Sequence, residues 1–288
     1  MYKKLITLFL LGHIITAHAE SNGAVAFAQD ADAENAVMRH ISSPKLRSSF
    51  VQIYDEQEQR PLYSKNADTV TPIASISKLM TAMVVLDAKL PMDKVIRIST
   101  EDMDRLKGTH SRMRPGMELT RGELLTLALM ASENRAAAAL ARTYPGGTQA
   151  AVAKMNEKAR KLGMVNTHFL EATGLNSGNV STAQDLVKMV LAAQNYPAIQ
   201  NATTSSSHAV EPDGFHSLVY RNTNPLVRNA SWDIDVSKTG YINEAGHCLV
   251  MKAHINDRPV VIVLLDSWGK YTRVGDANRV KKWMETVF

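Results

Sequence analysis

Thr71-Pro72-Ile73-Ala74-Ser75-Ile76-Ser77-Lys78-Leu79-Met80 is the stretch on which the fold turns. It places a serine three residues ahead of a lysine, S-x-x-K, at the head of an apolar run. Leu79 to Ala88 is mostly apolar and made of good helix formers, and Pro72 lies just upstream, so the pattern predicts a buried helix opening at Ser75. Three residues apart on a helix, Ser75 and Lys78 share one face. A serine hydroxyl is a poor nucleophile at neutral pH and needs a base within hydrogen-bond reach. A lysine serves as that base only if burial or a neighbouring positive charge lowers its pKa. The same residues also fit a helix N-cap serine followed by a surface lysine lying along its own stem. Ser77 is a second hydroxyl, but next to Lys78 in sequence it faces elsewhere.

Two further strings lie downstream. Ser132-Glu133-Asn134 separates the apolar run Leu124 to Ala131 from Ala136 to Ala141 and reads as a tight loop between helices. A hydroxyl and an amide there can bridge cations and bind a substrate amide, although Ser and Asn are also ordinary helix caps. Lys238-Thr239-Gly240 follows Asp233-Ile234-Asp235-Val236 and reads as strand. Lys238 offers a cation for a carboxylate and could supply the charge that lowers Lys78. Thr239 adds a hydroxyl, and Gly240 lets another backbone approach. Such a strand can take an extended peptide along its edge.

In this order, S-x-x-K, S-x-N and K-T-G resemble the active-site motifs of penicillin-interacting serine acyl-transferases. The chain is similar to the low-molecular-mass, penicillin-binding family of D-alanyl-D-alanine peptidases. Glu133 stands where the pattern has Asp, at a position not assigned to the chemistry. The likeness runs from about Lys45 to the C-terminus. It includes Gly174-Leu175, Ser181-Thr182-Ala183-Gln184-Asp185-Leu186, Asn222-Thr223-Asn224 and Lys238-Thr239-Gly240-Tyr241-Ile242-Asn243. The resemblance implies an α/β fold of the β-lactamase/DD-peptidase type, an antiparallel sheet with packing helices and an inserted all-helical lobe. It implies acyl transfer with Ser75 as nucleophile, Lys78 as general base and Ser132 as proton relay. Asn134, Lys238 and Thr239 would bind substrate, and the backbone N–H of Tyr241 would join that of Ser75 around the oxyanion. The implied substrates are peptidoglycan stem peptides and cross-links, first the D-alanyl–diaminopimelate cross-link cut by an endopeptidase, with β-lactam antibiotics as mimics. No cofactor and no metal are expected.

Other readings stay open. A D-alanyl-D-alanine carboxypeptidase shares every motif. So does a β-lactamase, and Glu171-Ala172-Thr173-Gly174-Leu175-Asn176 resembles its E-x-x-L-N string with one residue too many. A non-catalytic penicillin-sensing or wall-binding module is the reading from a different class, and other wall hydrolases are open as partners.

The ends and the composition bound these readings. Lys3 and Lys4, the apolar stretch Leu5 to Ile15, and Ala17-His18-Ala19 form a secretory signal peptide over residues 1–19, with Ala26-Phe27-Ala28 as a second cleavage site. Residues 20–44 read as a loosely ordered lead-in and 45–288 as one peptidase domain, with a helical lobe over about 91–200. The last strand is followed by room for one closing helix, which points to a periplasmic enzyme, soluble or loosely membrane-associated. Removing residues 1–19 takes away two lysines and no acids, so the formal charge of +5 falls to +3. That suits an acidic wall polymer, and no basic run interleaved with aromatics suggests nucleic acid. Cys248 is the only cysteine, so no intramolecular disulfide forms, and its apolar neighbours place it in a buried strand. The nine histidines, His208, His216 and His247 among them, show no metal-site spacing.

Overall fold

The computed structural model describes residues 43–212 and 216–288. The expected signal peptide and nearly all of the lead-in lie outside them. Phe50–Asp55 (β1) and Arg60–Lys65 (β2) form a hairpin, and Thr71–Pro72 (β3) leads into a 3-10 turn, Ala74–Ile76, and helix α1, Ser77–Asp87. A second small pair, Val95–Arg97 (β4) and Glu118–Thr120 (β5), precedes helices α2 (Arg121–Met130), α3 (Asn134–Arg142) and α4 (Gly147–Lys161). Then come β6 (Val180–Ser181), α5 (Ala183–Ala193), α6 (Pro197–Thr204) and a hairpin of β7 (Ser207–Val210) with β8 (Leu218–Arg221). Three long strands close the fold, β9 (Asp233–Ile242), β10 (Gly246–Ile255) and β11 (Arg258–Ser267), followed by helix α7 (Thr272–Val287).

The main sheet is antiparallel, with strand order β2-β1-β11-β10-β9. Alternation along its strands explains why helices cover both faces. Val260, Ile262 and Leu264 of β11 point with Leu249, Met251 and Ala253 of β10 into one buried cluster, completed by Ala277, Val280 and Met284 of α7. Val261, Val263 and Leu265 point the other way, with Cys248 and Val250, into the cluster that contains α1, α2, α3 and α5. Side chains alternate with period two, so the middles of β10 and β11 are buried on both faces. The β10–β11 register fixes this arrangement, with Met251 opposite Ile262 and Val250 opposite Val263. Asn256 and Asp257 take the connecting turn at φ of 50° and 60°, the pair of positive angles a two-residue hairpin requires.

Several expectations shift in detail. The predicted helix at Ser75 begins two residues later, because Ala74 sits at φ +48° and forces a tight turn before the chain can enter α1. The histidine His208 falls in β7, one of two short strands that pair away from the main sheet. The lobe expected to be all-helical over about 91–200 also holds the short strands β4, β5 and β6 and long connections, where small polar residues and glycines outnumber apolar ones. Helix α5 packs on β11, β1 and β10. Among the described residues no helix is long and apolar enough to cross a membrane. Cys248 lies fully buried in β10, with its thiol pushed up to about 11 by burial.

One contact joins the α1 side to the loop that follows α4. Gly174 has φ +82° and is wedged against the turn before α1; a Cβ there would lie 2.0 Å from the Ala74 carbonyl oxygen and 2.7 Å from the Ser75 nitrogen. Both obstacles are backbone, so neither can swing away. Gly174→Ala is therefore expected to destabilise the protein by roughly 2–4 kcal/mol, about 4–16 °C in Tm, measured by thermal unfolding. An unchanged Tm would mean that the two segments are not pressed together.

Candidate active site

Ser75 sits on the 3-10 turn, 9% exposed, and Lys78 lies one turn further on in α1. Lys78 Nζ donates to Ser75 Oγ at 2.7 Å, to Asn134 Oδ1 at 2.8 Å and to the Thr173 carbonyl at 2.5 Å. The lysine is 1% exposed, and its pKa is brought down to about 7, chiefly by burial. The expected help from Lys238 does not lead this shift: the charges that bear most on Lys78 are the carboxylates Glu171, Glu133 and Asp104, which act in the opposite sense. Deprotonated, the amine keeps two donors for Asn134 and Thr173 and turns its lone pair towards the Ser75 hydroxyl. Ser77 points away, donating to the Ala74 carbonyl at 2.9 Å and accepting from Asn179 at 3.0 Å.

Ser132 occupies the left-handed position that ends α2, with φ +59°. Glycine usually fills that place because it has no Cβ penalty. Neither Ser132 nor Asn134 acts as a capping side chain; the N-cap of α3 is Glu133, with no side-chain cap. Instead Ser132 Oγ accepts from Lys238 Nζ at 2.8 Å. Asn134 Nδ2 donates to Thr109 Oγ1 at 2.9 Å, in a loop that Asp104 organises by accepting from the Leu106, Lys107 and Thr109 amides. Glu133 faces Ser111, with Oε2 accepting at 2.8 Å, and burial raises its pKa.

Lys238 and Thr239 lie on β9, the free edge of the sheet. Lys238 is 1% exposed, and burial, then the charge of Lys78, pushes its pKa well down. Its Nζ also donates to the Thr239 carbonyl at 2.8 Å. A Cβ on Gly240 would stand 3.0 Å from the Ile73 carbonyl and 3.1 Å from the Ser75 nitrogen, so β9 closes directly on the serine turn. Tyr241 follows, with its side chain half exposed.

The structure thus brings Ser75, Lys78 and Asn134 into one hydrogen-bonded group and Ser132, Lys238 and Thr239 into another, on facing walls. Sequence reasoning gave no structural role to Arg273 and Thr223, and it read Glu171 only as part of a β-lactamase-like string. Arg273, in the first turn of α7, is buried and donates to the Gly240 carbonyl at 2.8 Å and the Cys248 carbonyl at 2.9 Å. Thr223 accepts from Thr239 Oγ1 at 2.6 Å and ties its own amide to the Met130 carbonyl at 3.0 Å. Glu171 is consumed by its own loop, accepting from the amides of Thr173 at 2.6 Å and Gly174 at 2.6 Å. The string Asn222-Thr223-Asn224 was a signal for the second of these; an arginine near the start of a final helix carries no such mark.

Among the described residues one group has the spacing of metal ligands, Asp233, Asp235 and His254, with ligand atoms within 4.8 Å of one another. It lies towards the start of β9, away from Ser75. Lys252 already supplies a cation there, 3.4 Å from Asp235 and 2.6 Å from Glu56.

Known proteins resemble this chain over most of its length. The family model described as D-alanyl-D-alanine carboxypeptidase matches residues 37–269. A D-alanyl-D-alanine endopeptidase of Escherichia coli K12 is 48% identical over 264 residues, 91% of this chain and 85% of the relative. The crystal structure of the Streptomyces K15 DD-transpeptidase superposes with a TM-score of 0.77 at 28% identity, covering 84% of this chain and 98% of the other. Penicillin-binding protein D2 of Listeria monocytogenes, in an ampicillin-bound form, superposes with a TM-score of 0.73 at 27% identity, covering 84% and 99%. The chain belongs to the D-alanyl-D-alanine carboxypeptidase family and is a serine-type DD-peptidase, a hydrolase with the α/β fold of that family.

Proposed function

We propose that this protein hydrolyses D-alanyl bonds in peptidoglycan cross-links through an acyl-enzyme on Ser75. The observation that carries the reading is the 2.7 Å contact between Ser75 Oγ and a fully buried Lys78 whose pKa lies at about 7. Lys78 takes the proton of Ser75 as its oxygen attacks the D-alanine carbonyl. The carbonyl oxygen, now an anion, sits between the backbone N–H groups of Ser75 and Tyr241. Ser132, held by Lys238, relays that proton to the leaving nitrogen as the C–N bond breaks, and the amine departs. Water then attacks the ester, and Ser75 regains its proton. Asn134 hydrogen-bonds the acyl-side peptide, while Lys238 and Thr239 face the carboxylate on the leaving side. β-Lactams enter the same cycle as mimics.

Glu171 favours the peptidase over the β-lactamase reading. Its carboxylate holds the Thr173–Gly174 turn and also meets Asn176 and Asn179, which leaves it poorly placed to activate water. Endopeptidase cleavage is the finer proposal; the Escherichia coli relative carries that name. A periplasmic site of action follows from the signal-like N-terminus and the wall substrate.

Three outcomes test this. Intact-mass measurement of the protein with benzylpenicillin should show one lasting adduct, absent in Ser75→Ala. A rapidly vanishing adduct with drug hydrolysis would favour the β-lactamase. Lys78 works as base only when neutral, so the acylation rate should climb as pH rises through about 7 and level off above about 8. A rate flat between pH 6 and 9 would remove Lys78 as the base. Finally, cross-linked muropeptide dimers should be cut at least tenfold faster than uncross-linked pentapeptides; the reverse preference, read by chromatography, would make the protein a carboxypeptidase.

A further inference from the structure

Beyond Gly240 the edge strand β9 continues into a patch of exposed rings. The Tyr241 ring stacks on His247 of β10, with centroids 4.2 Å apart and planes at 21°. His247 lies opposite Ser267 of β11. There the chain leaves the sheet into Trp268, 94% exposed, and Tyr271, 74% exposed. Lys270 joins them: its Nζ is 5.8 Å from the Tyr271 ring, and its charge, with that of Arg273, bears on His247. The patch therefore crosses three strand ends, about 10 Å at ordinary strand spacing, and begins at the residue after Gly240.

Isolated exposed rings are ordinary, but several rings gathered at adjoining strand ends mark a recognition surface. Flat rings with polar tips suit a ligand that is apolar on its faces and polar around its edge. Sugar rings have that character. The direction also fits. With a leaving-side carboxylate at Lys238 and the reacting carbonyl at Tyr241, an extended peptide paired to β9 exits past Tyr241 by its N-terminal side. That side of a stem peptide is joined to the glycan, and four extended residues span about 13–14 Å.

We infer that Tyr241, His247, Trp268, Lys270 and Tyr271 form a platform for the glycan strand that carries the stem peptide, a chain of β-linked N-acetylated amino sugars. This rests on the DD-peptidase reading of the cleft and adds the part of the substrate beyond the peptide. A lipid surface is the less suitable partner, because Arg273 is buried and Lys270 is then the one accessible cation among the residues named here, where a membrane-binding patch gathers several.

The test is titration of the whole protein with peptide-free glycan strands, followed by tryptophan emission and calorimetry. The wild type is expected to bind. Trp268→Ala with Tyr271→Ala should weaken binding at least tenfold and slow hydrolysis of intact sacculi by a similar factor. Acylation by benzylpenicillin and cleavage of sugar-free peptide dimers should stay within twofold, which also shows that the variant is folded. No glycan binding by the wild type, equal binding by the double variant, or binding to phosphatidylglycerol vesicles in place of glycan overturns the platform. Absence of acylation in the wild type counts against the DD-peptidase reading instead, and the glycan titration, which needs no acylation, still decides the platform.

Discussion

Two ammonium groups share one buried cleft, and the architecture of the site follows from keeping them there. Lys78 and Lys238 are each about 1% exposed, and burial pushes both pKa values down. For Lys78 the shift from 10.5 to about 7 opposes folding by on the order of 5 kcal/mol at acid pH. The sign runs opposite to that of a salt-bridged lysine: the folded state binds fewer protons, so this cost is full below pH 7 and fades as pH rises towards the ordinary lysine range. A cost of that size persists only where surrounding structure over-determines the site. Here the surrounding structure is two packed layers, the sheet on one side and α1 to α3 on the other.

Backbone strain gathers at the same place. Ala74 and Ser132 both hold left-handed φ angles, which side-chain-bearing residues adopt at a cost. One turns the chain so that Ser75 stands ahead of α1; the other aims the Ser132 hydroxyl at Lys238. Gly174 and Gly240 press on the Ala74–Ser75 turn from two sides, where any Cβ would push the walls apart. Three segments far apart in the chain are thus held together by backbone contact as well as by side-chain hydrogen bonds.

The edge strand gives this site its reach. β9 has a partner on one side only, so its other side remains available to an extended peptide. Arg273 fixes the strand from behind by binding the Gly240 and Cys248 carbonyls. The same strand then runs on to Tyr241 and the aromatic patch, so one element links the proposed carboxylate site, the oxyanion site and the glycan platform.

Much of this was legible in sequence. The apolar neighbours of Cys248 marked a buried strand, and the three short motifs marked the segments that meet. A bare motif says only that a serine and a lysine can share a helix face. Whether that lysine is solvated or buried is a property of the layers packed around it. The string from Glu171 to Asn176 could be read as a deacylation site until its carboxylate was seen to be spent on its own turn. Ser132-Glu133-Asn134 could be read as a helix cap until Ser132 was seen reaching Lys238 instead. The sequence by itself determined the family, the sheet's central strands and the candidate residues, because those depend on local periodicity and on residue type. Only the tertiary structure decided the burial of Lys78 and with it the lowering of its pKa, the contacts of Thr223, Glu171 and Arg273, and the close approach of Gly174 and Gly240 to the serine turn, because each depends on atoms distant in the chain excluding water from the same small volume.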